Sequence, residues 1–233
     1  MHLIQLPLDI TRAVRHLAQF MAPRALDDDS LVIKTALTEA LGGPVIRPWA
    51  THARRGPVLT IVGYGDQSAD DVNARRALAL PSLQAAVGEA ISVKMPALEP
   101  ERLYRFSVRL VPTVRVTPTK ARRHGERDAY LVAADGVGPD GALARDDIYR
   151  DYLVRKLVGA EVENCRLDSF RLARFMRPKT NGQATKTMPE ASLSGVLRVS
   201  NPDALSECLR SGVGRQRAYG YGMVRLQPIR LSD

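Results

Sequence analysis

Between Leu103 and Val116 the chain alternates in a way that leaves little choice of local structure. Tyr104, Phe106, Val108, Leu110, Val114 and Val116 occupy even positions, while Arg105, Ser107, Arg109, Thr113 and Arg115 occupy odd ones. Successive side chains of a strand point to opposite faces. The pattern therefore predicts one long strand over 103–116, with an apolar face on a core and an arginine-bearing face left open. Arginines side by side on an open sheet repel one another, and phosphates facing them explain them better than decoration does. The charge of the whole chain leans the same way. Residues 1–100 carry 10 Lys+Arg and 10 Asp+Glu, whereas residues 101–233 carry 24 against 15 and so hold the entire net charge of +9. A neutral half joined to a basic half implies that one half meets a polyanion.

The remaining pattern supplies the partners of that strand. His2 to Leu8 reads as a first strand, and Ser30 to Leu41 as a helix introduced by Asp27, Asp28 and Asp29 and ended by Gly42-Gly43-Pro44. Pro57 to Tyr64 reads as a strand, Leu83 to Ala90 as a short helix, and Thr51 to Arg55 as a basic loop. In the second half, Asp146 to Gly159 is an amphipathic helix with Ile148, Tyr152, Leu153 and Leu157 inward. Strands are expected at about 162–175 and 191–200, a short helix from Asn201-Pro202-Asp203, and a last strand over Met223 to Ile229. The order strand, helix, strand, strand, helix, strand occurs roughly twice. This predicts an α+β chain of tandem ferredoxin-like (βαββαβ, RRM-like) domains, 1–100 and 101–233, the second basic and ending in a glycine-rich loop.

Several classes are disfavoured. With 45% apolar residues the composition is that of a globular protein, and no apolar run approaches a membrane span. The N-terminus lacks a basic segment and a small-residue cleavage site, so a cytoplasmic location without membrane attachment is expected. Two distant cysteines, Cys165 and Cys208, suit a reducing compartment and offer no cysteine zinc site.

One segment stands out: Gly212-Val213-Gly214-Arg215-Gln216-Arg217-Ala218-Tyr219-Gly220-Tyr221-Gly222. Glycines at this density let a backbone approach a ligand closely, Arg215 and Arg217 add charge for phosphate, and Tyr219 and Tyr221 can stack on a base or fill a core. It is neither a Walker loop, for want of Gly-Lys-Ser/Thr, nor a dinucleotide loop, because a helix precedes it and a strand follows.

A helix, an Arg-bearing glycine-rich loop and a final strand at the C-terminus resemble the signature of the repeat-associated (RAMP) superfamily of CRISPR proteins. Within it, the chain resembles the guide-RNA-processing endoribonuclease of type I-E complexes (CasE) or its type IV counterpart. Tyr104 to Pro112 resembles that family's central strand, and Leu193 to Val199 the strand before its last helix. The resemblance implies binding of a CRISPR repeat RNA hairpin and cleavage of precursor guide RNA without metal or other cofactor. It also implies partnership with other subunits of an effector complex. In that chemistry the ribose 2′-OH attacks the adjacent phosphate, a base takes its proton, an acid protonates the 5′ oxygen, and cations stabilise the phosphorane. Relatives of type I-E usually carry a catalytic histidine near the start of the helix after strand one. Here that position aligns with Ile33, followed by Lys34. Lys34, then His16, then Arg24 are the expected catalytic residues.

The residues expected to bind RNA are Arg105, Arg109 and Arg115 on the central strand, and Lys120, Arg122 and Arg123 in a charged loop. To these are added Arg174, Arg177 and Lys179, leading into a polar hairpin, and Gly212, Gly214, Arg215, Arg217 and Tyr219. A-form RNA is gripped mainly through shape and phosphates, which suits such clusters. Two other readings stay open: a non-catalytic RNA-binding subunit of the same system, and an unrelated ferredoxin-like module that binds no RNA.

Overall fold

A computed structural model describes residues 1–117, 125–136, 143–179 and 182–229, with backbone alone at 177–179 and 182–184. The first half runs β1 (His2–Asp9), α1 (Ile10–Leu17), α2 (Pro23–Leu26), α3 (Asp29–Ala40), β2 (Trp49–Arg55), β3 (Val58–Gly65), α4 (Ala69–Ala77), α5 (Pro81–Ala86) and β4 (Ile91–Lys94). The second runs β5 (Leu103–Leu110), β6 (Thr113–Val116), β7 (Gly125–Asp128), α6 (Ala129–Asp135), α7 (Arg145–Val154), β8 (Ala160–Lys179), β9 (Gly182–Val199), α8 (Pro202–Ser211) and β10 (Arg225–Pro228), with a 3₁₀ turn at Arg217–Tyr219.

Two four-stranded antiparallel sheets carry the fold, in the orders β2-β3-β1-β4 and β10-β5-β9-β8. Counted within each sheet, both read fourth, first, third, second. That is the strand order a split βαβ repeat produces, so the α+β, tandem ferredoxin-like architecture is present. Ile4, Leu6 and Leu8 of β1 pack on α1, α3 and α5, and Tyr104, Phe106, Val108 and Leu110 of β5 pack on α7 and α8. The helix starts are set locally. Asp28 Oδ1 accepts the Leu31 N–H at 3.1 Å, and Ser68 with Asp71 closes a capping box. The other Asp28 oxygen accepts Met176 N–H of β8 at 2.7 Å, so one buried carboxylate ties α3 to the second sheet.

The long strand expected over 103–116 is two strands. Pro112 has no N–H, Thr113 N–H bonds Val111 O at 2.8 Å, and the chain turns away to pair β6 with β7 as a separate ribbon. Thr113 is buried, against the expected alternation, while Arg115 stays exposed as expected. The basic loop expected at 51–55 is strand β2, and β4 joins the first sheet's edge unannounced, since neither alternates clearly. The helix expected over 83–90 lies at Pro81–Ala86, and that expected over 146–159 ends at Val154. The polar stretch after residue 175 continues as paired strands, β8 reaching Lys179 and β9 starting at Gly182.

A candidate RNA-binding groove beside the glycine-rich loop

The glycine-rich segment leaves α8 at Gly212, turns through Arg217–Tyr219 and enters β10. Its glycines are explained by neighbouring protein. Gly220 has φ +82°, and a Cβ there would lie 2.5 Å from the Trp49 ring. Gly222 has φ +77°, and its Cβ would lie 2.0 Å from Val213 O. Gly212 abuts Pro48, and Trp49 Nε1 donates to Ala218 O at 3.3 Å. The loop is therefore folded onto Arg47-Pro48-Trp49 of the first half. The glycines of this segment thus also let it pack closely against neighbouring protein. Gly214 alone meets just a side-chain tip, Tyr152 OH at 3.2 Å.

Beneath the loop lies a buried polar network. Tyr221 OH donates to Glu190 at 2.5 Å, Arg171 pairs with Glu190 at 2.7 Å, and Arg109 lies 4.6 Å over the Tyr221 ring while donating to Gly220 O. Burial pushes the Glu190 carboxyl up, but bonds from Arg171 and Tyr221 and the charge of Arg109 outweigh it and hold the group below the usual carboxylate range. A depressed folded pKa gives stability that is present above the unfolded value of about 4.3 and is lost as pH falls toward the folded one. Glu190→Gln is expected to lower stability by about 1–3 kcal/mol at neutral pH. It should also flatten the fall in melting temperature of the wild type below about pH 4.3. An unchanged acid limb of the melting curve would contradict this.

On the other side of the loop is a groove lined by Arg47, Arg115, Arg155, Lys156, Arg215 and Arg217, with Tyr152, Gly212, Gly214 and Tyr219. Glu126 is its one carboxylate among the described lining residues, held by Arg215 at 2.7 Å and Lys186 at 3.4 Å. Arg217 donates to Ser211 O at 2.7 Å, which orients it along the loop. The groove thus carries a surplus of fixed positive charge in front of the loop, the condition for phosphate attraction.

Of the residues expected to bind RNA, Arg115, Gly212, Gly214, Arg215, Arg217 and Tyr219 meet in this groove. Arg109 lies under the loop, Arg105 opens on a different cleft, and Arg174 stands exposed on β8. Arg177 and Lys179 lie on β8, where their backbone alone is described, and Lys120, Arg122 and Arg123 fall outside the described residues. Sequence reasoning missed Arg47, Arg155 and Lys156. The last two close α7, and the helix-face pattern used for its core said nothing of its end.

The expected catalytic residues separate. His16 is buried, with Nδ1 sharing a hydrogen bond with Ser82 Oγ at 2.8 Å and Nε2 3.5 Å from Glu39. It is thus held among α1, α3 and α5 by these partners. Ile33 is buried as well. Lys34 lies one turn along α3 from Leu31, which packs with Ala25, Met176 and Tyr219. Lys34 shares a small cavity with Trp49, Arg47 and Ala218, and the last two also line the groove, so it stands at the groove's edge. Arg24 is exposed on α2, next to Ala25 of the same cluster. Among the described residues no group of three His, Cys, Asp or Glu could hold a metal ion, and no helix is long and apolar enough to cross a membrane.

The arrangement has known counterparts. The CRISPR endoribonuclease Cse3 bound to a 19 nt RNA superimposes with a TM-score of 0.63 at 18% identity, over 97% of this chain and 99% of that one. Cas6e from Escherichia coli str. K-12 gives 0.62 at 16% identity, over 98% and 100%. A chain of a CRISPR RNA-guided surveillance complex in its pre-nicking state gives 0.62 at 13%, over 98% and 100%. At such identities the likeness is one of fold. No curated protein matches in sequence. The family model described as CRISPR associated protein, however, matches residues 36–228 and so takes in the groove, the loop, the whole second sheet and the first sheet apart from β1. By that match this chain belongs to the CRISPR-associated protein family.

Proposed function

We propose that the protein binds the hairpin of a CRISPR repeat RNA in the groove and cuts the precursor by metal-independent attack of a ribose 2′-OH on the adjacent phosphate. The observation that carries this reading is the surplus of cations in front of a rigidly packed loop, with Lys34 at the groove's edge. Arg47, Arg115 and Arg217 hold the backbone phosphates. Lys34 neutralises charge on the phosphorane or protonates the departing 5′ oxygen, and Arg24 supplies a second cation from α2. A preorganised loop suits this work, because donors that need not rearrange lose nothing when charge develops. Other subunits of an RNA-guided complex are the partners this reading implies, and the cytoplasm is its setting.

The test is cleavage of cognate repeat RNA in EDTA. Products ending in a 2′,3′-cyclic phosphate and a 5′-hydroxyl are expected, and a need for magnesium would overturn the mechanism. A second reading, an RNA-binding subunit without catalysis, is favoured by the enclosure of His16 and the burial of Ile33. Binding without cleavage in the same assay would establish it.

A further inference from the structure

The second sheet carries another cleft, on the face opposite its helices, and its register builds it in rows. Arg225 of β10 lies opposite Ser107 of β5, Ser107 opposite Ser194 of β9, and Ser194 opposite Arg166 of β8. The next row is Gln227, Arg105, Val196 and Asn164. Short serines therefore form a floor between two arginines three strand spacings apart, or about 14 Å. His52 of β2, 3.3 Å from Arg225, closes one side, and Asp168 at 2.8 Å steadies Arg166 on the other. At Gly195 a Cβ would lie 2.0 Å from Asn164 O, so glycine lets the bulged β8 lie close against the floor.

We propose that this cleft holds unpaired RNA continuous with the hairpin, as a second contact separate from the groove beside the glycine-rich loop. The inference rests on the RNA-binding reading above. Charge complementarity commits the cleft to a phosphate backbone, because Arg105, Arg166 and Arg225 line it and its described lining residues include no carboxylate, Asp168 standing outside them beside Arg166. An open sheet face with small residues between arginines about 14 Å apart admits a single strand lying along it, whereas a duplex presents its phosphates on a convex surface. Phe106 turns its ring into the core, which leaves the His52 imidazole at the cleft's side as the one aromatic ring among its described lining residues. Serine hydroxyls and the Asn164 and Gln227 amides match ribose 2′-OH groups. Binding here follows the backbone and tolerates any sequence.

The experiment compares a repeat hairpin alone with the same hairpin bearing an unpaired extension of about eight nucleotides on its 5′ or its 3′ side. One of the two extensions should tighten binding by about tenfold. The double variant Arg166→Gln, Arg225→Gln should abolish that gain, leave hairpin affinity unchanged and reduce the log–log salt slope for the extended RNA by about 1.4, two phosphate contacts at about 0.7 each. In the wild type, 4-thiouridine in that extension should crosslink within 103–109 or 192–198, a readout that does not depend on how the variant folds. If the hairpin binds but neither extension adds affinity, or if a nucleoside monophosphate displaces the extension as well as RNA does, the inference is wrong. If the hairpin itself fails to bind, the proposed function falls first.

Discussion

Lys34→Ala is expected to slow cleavage of repeat RNA by about a hundredfold or more while leaving RNA affinity within about twofold. The expectation follows from position. Lys34 lines a small cavity that shares Arg47 and Ala218 with the groove, whereas Arg115, Arg155, Lys156, Arg215 and Arg217 line the groove alone. A residue so placed adds little to gripping a hairpin, but it can act on one phosphate. The arginine variant separates two roles. Partial recovery in Lys34→Arg marks charge stabilisation, and none marks proton transfer, because a guanidinium does not give up its proton. Wild-type cleavage rates in Lys34→Ala would remove Lys34 from the mechanism and leave Arg24 as the cation to test.

The second large effect is structural. Gly220→Val is expected to destabilise the protein by about 3 kcal/mol or more, since overpacking costs about 1–3 kcal/mol and a left-handed backbone about 1–2 more. Its new Cβ would meet three Trp49 ring carbons at 2.5, 2.7 and 3.0 Å, and Trp49 is buried in the first half's core. Gly214→Ala, at φ +73° with only the Tyr152 hydroxyl at 3.2 Å, should cost about 1–2 kcal/mol, mostly through its backbone. Urea denaturation of the two variants measures the order. Equal stabilities would mean that the loop does not depend on Trp49. The comparison also bears on RNA binding, because Gly220 holds the loop from behind while Gly214 faces the groove. A loss of affinity in Gly220→Val should therefore track its loss of stability.

Local chemistry made much of this legible. The alternation of β5, the aspartate run before α3, the asparagine-proline start of α8 and the glycine-rich segment each act over a few residues, and each element stands where its residues indicated. Pro112 was legible too. Reading Val114 and Val116 as one strand with Val108 and Leu110 overrode the one residue that cannot donate to the ladder. The short strands β2 and β4 escaped because edge strands with exposed residues have weak period-two patterns.

The candidate groove was only half legible. Arg115, Arg215, Arg217, Gly212, Gly214 and Tyr219 could be named, because arginines and glycines packed into short segments stand out against the rest of the chain. Which cations face one another could not be read, since Arg47, Arg115, Arg155 and Arg217 come from four separate stretches and meet only when the loop folds onto Pro48 and Trp49. His16 shows the converse. Its residue type marked it for catalysis, yet a histidine's use depends on what surrounds it, and here Ser82 and Glu39 enclose it. By itself the sequence determined the main helices, the central strands and the basic second half, because propensity, capping and periodicity act between near neighbours. Tertiary structure alone decided which arginines share a groove, which lie under the loop and which open on the second cleft, because contacts across a hundred residues are set by how the two sheets and the loop pack.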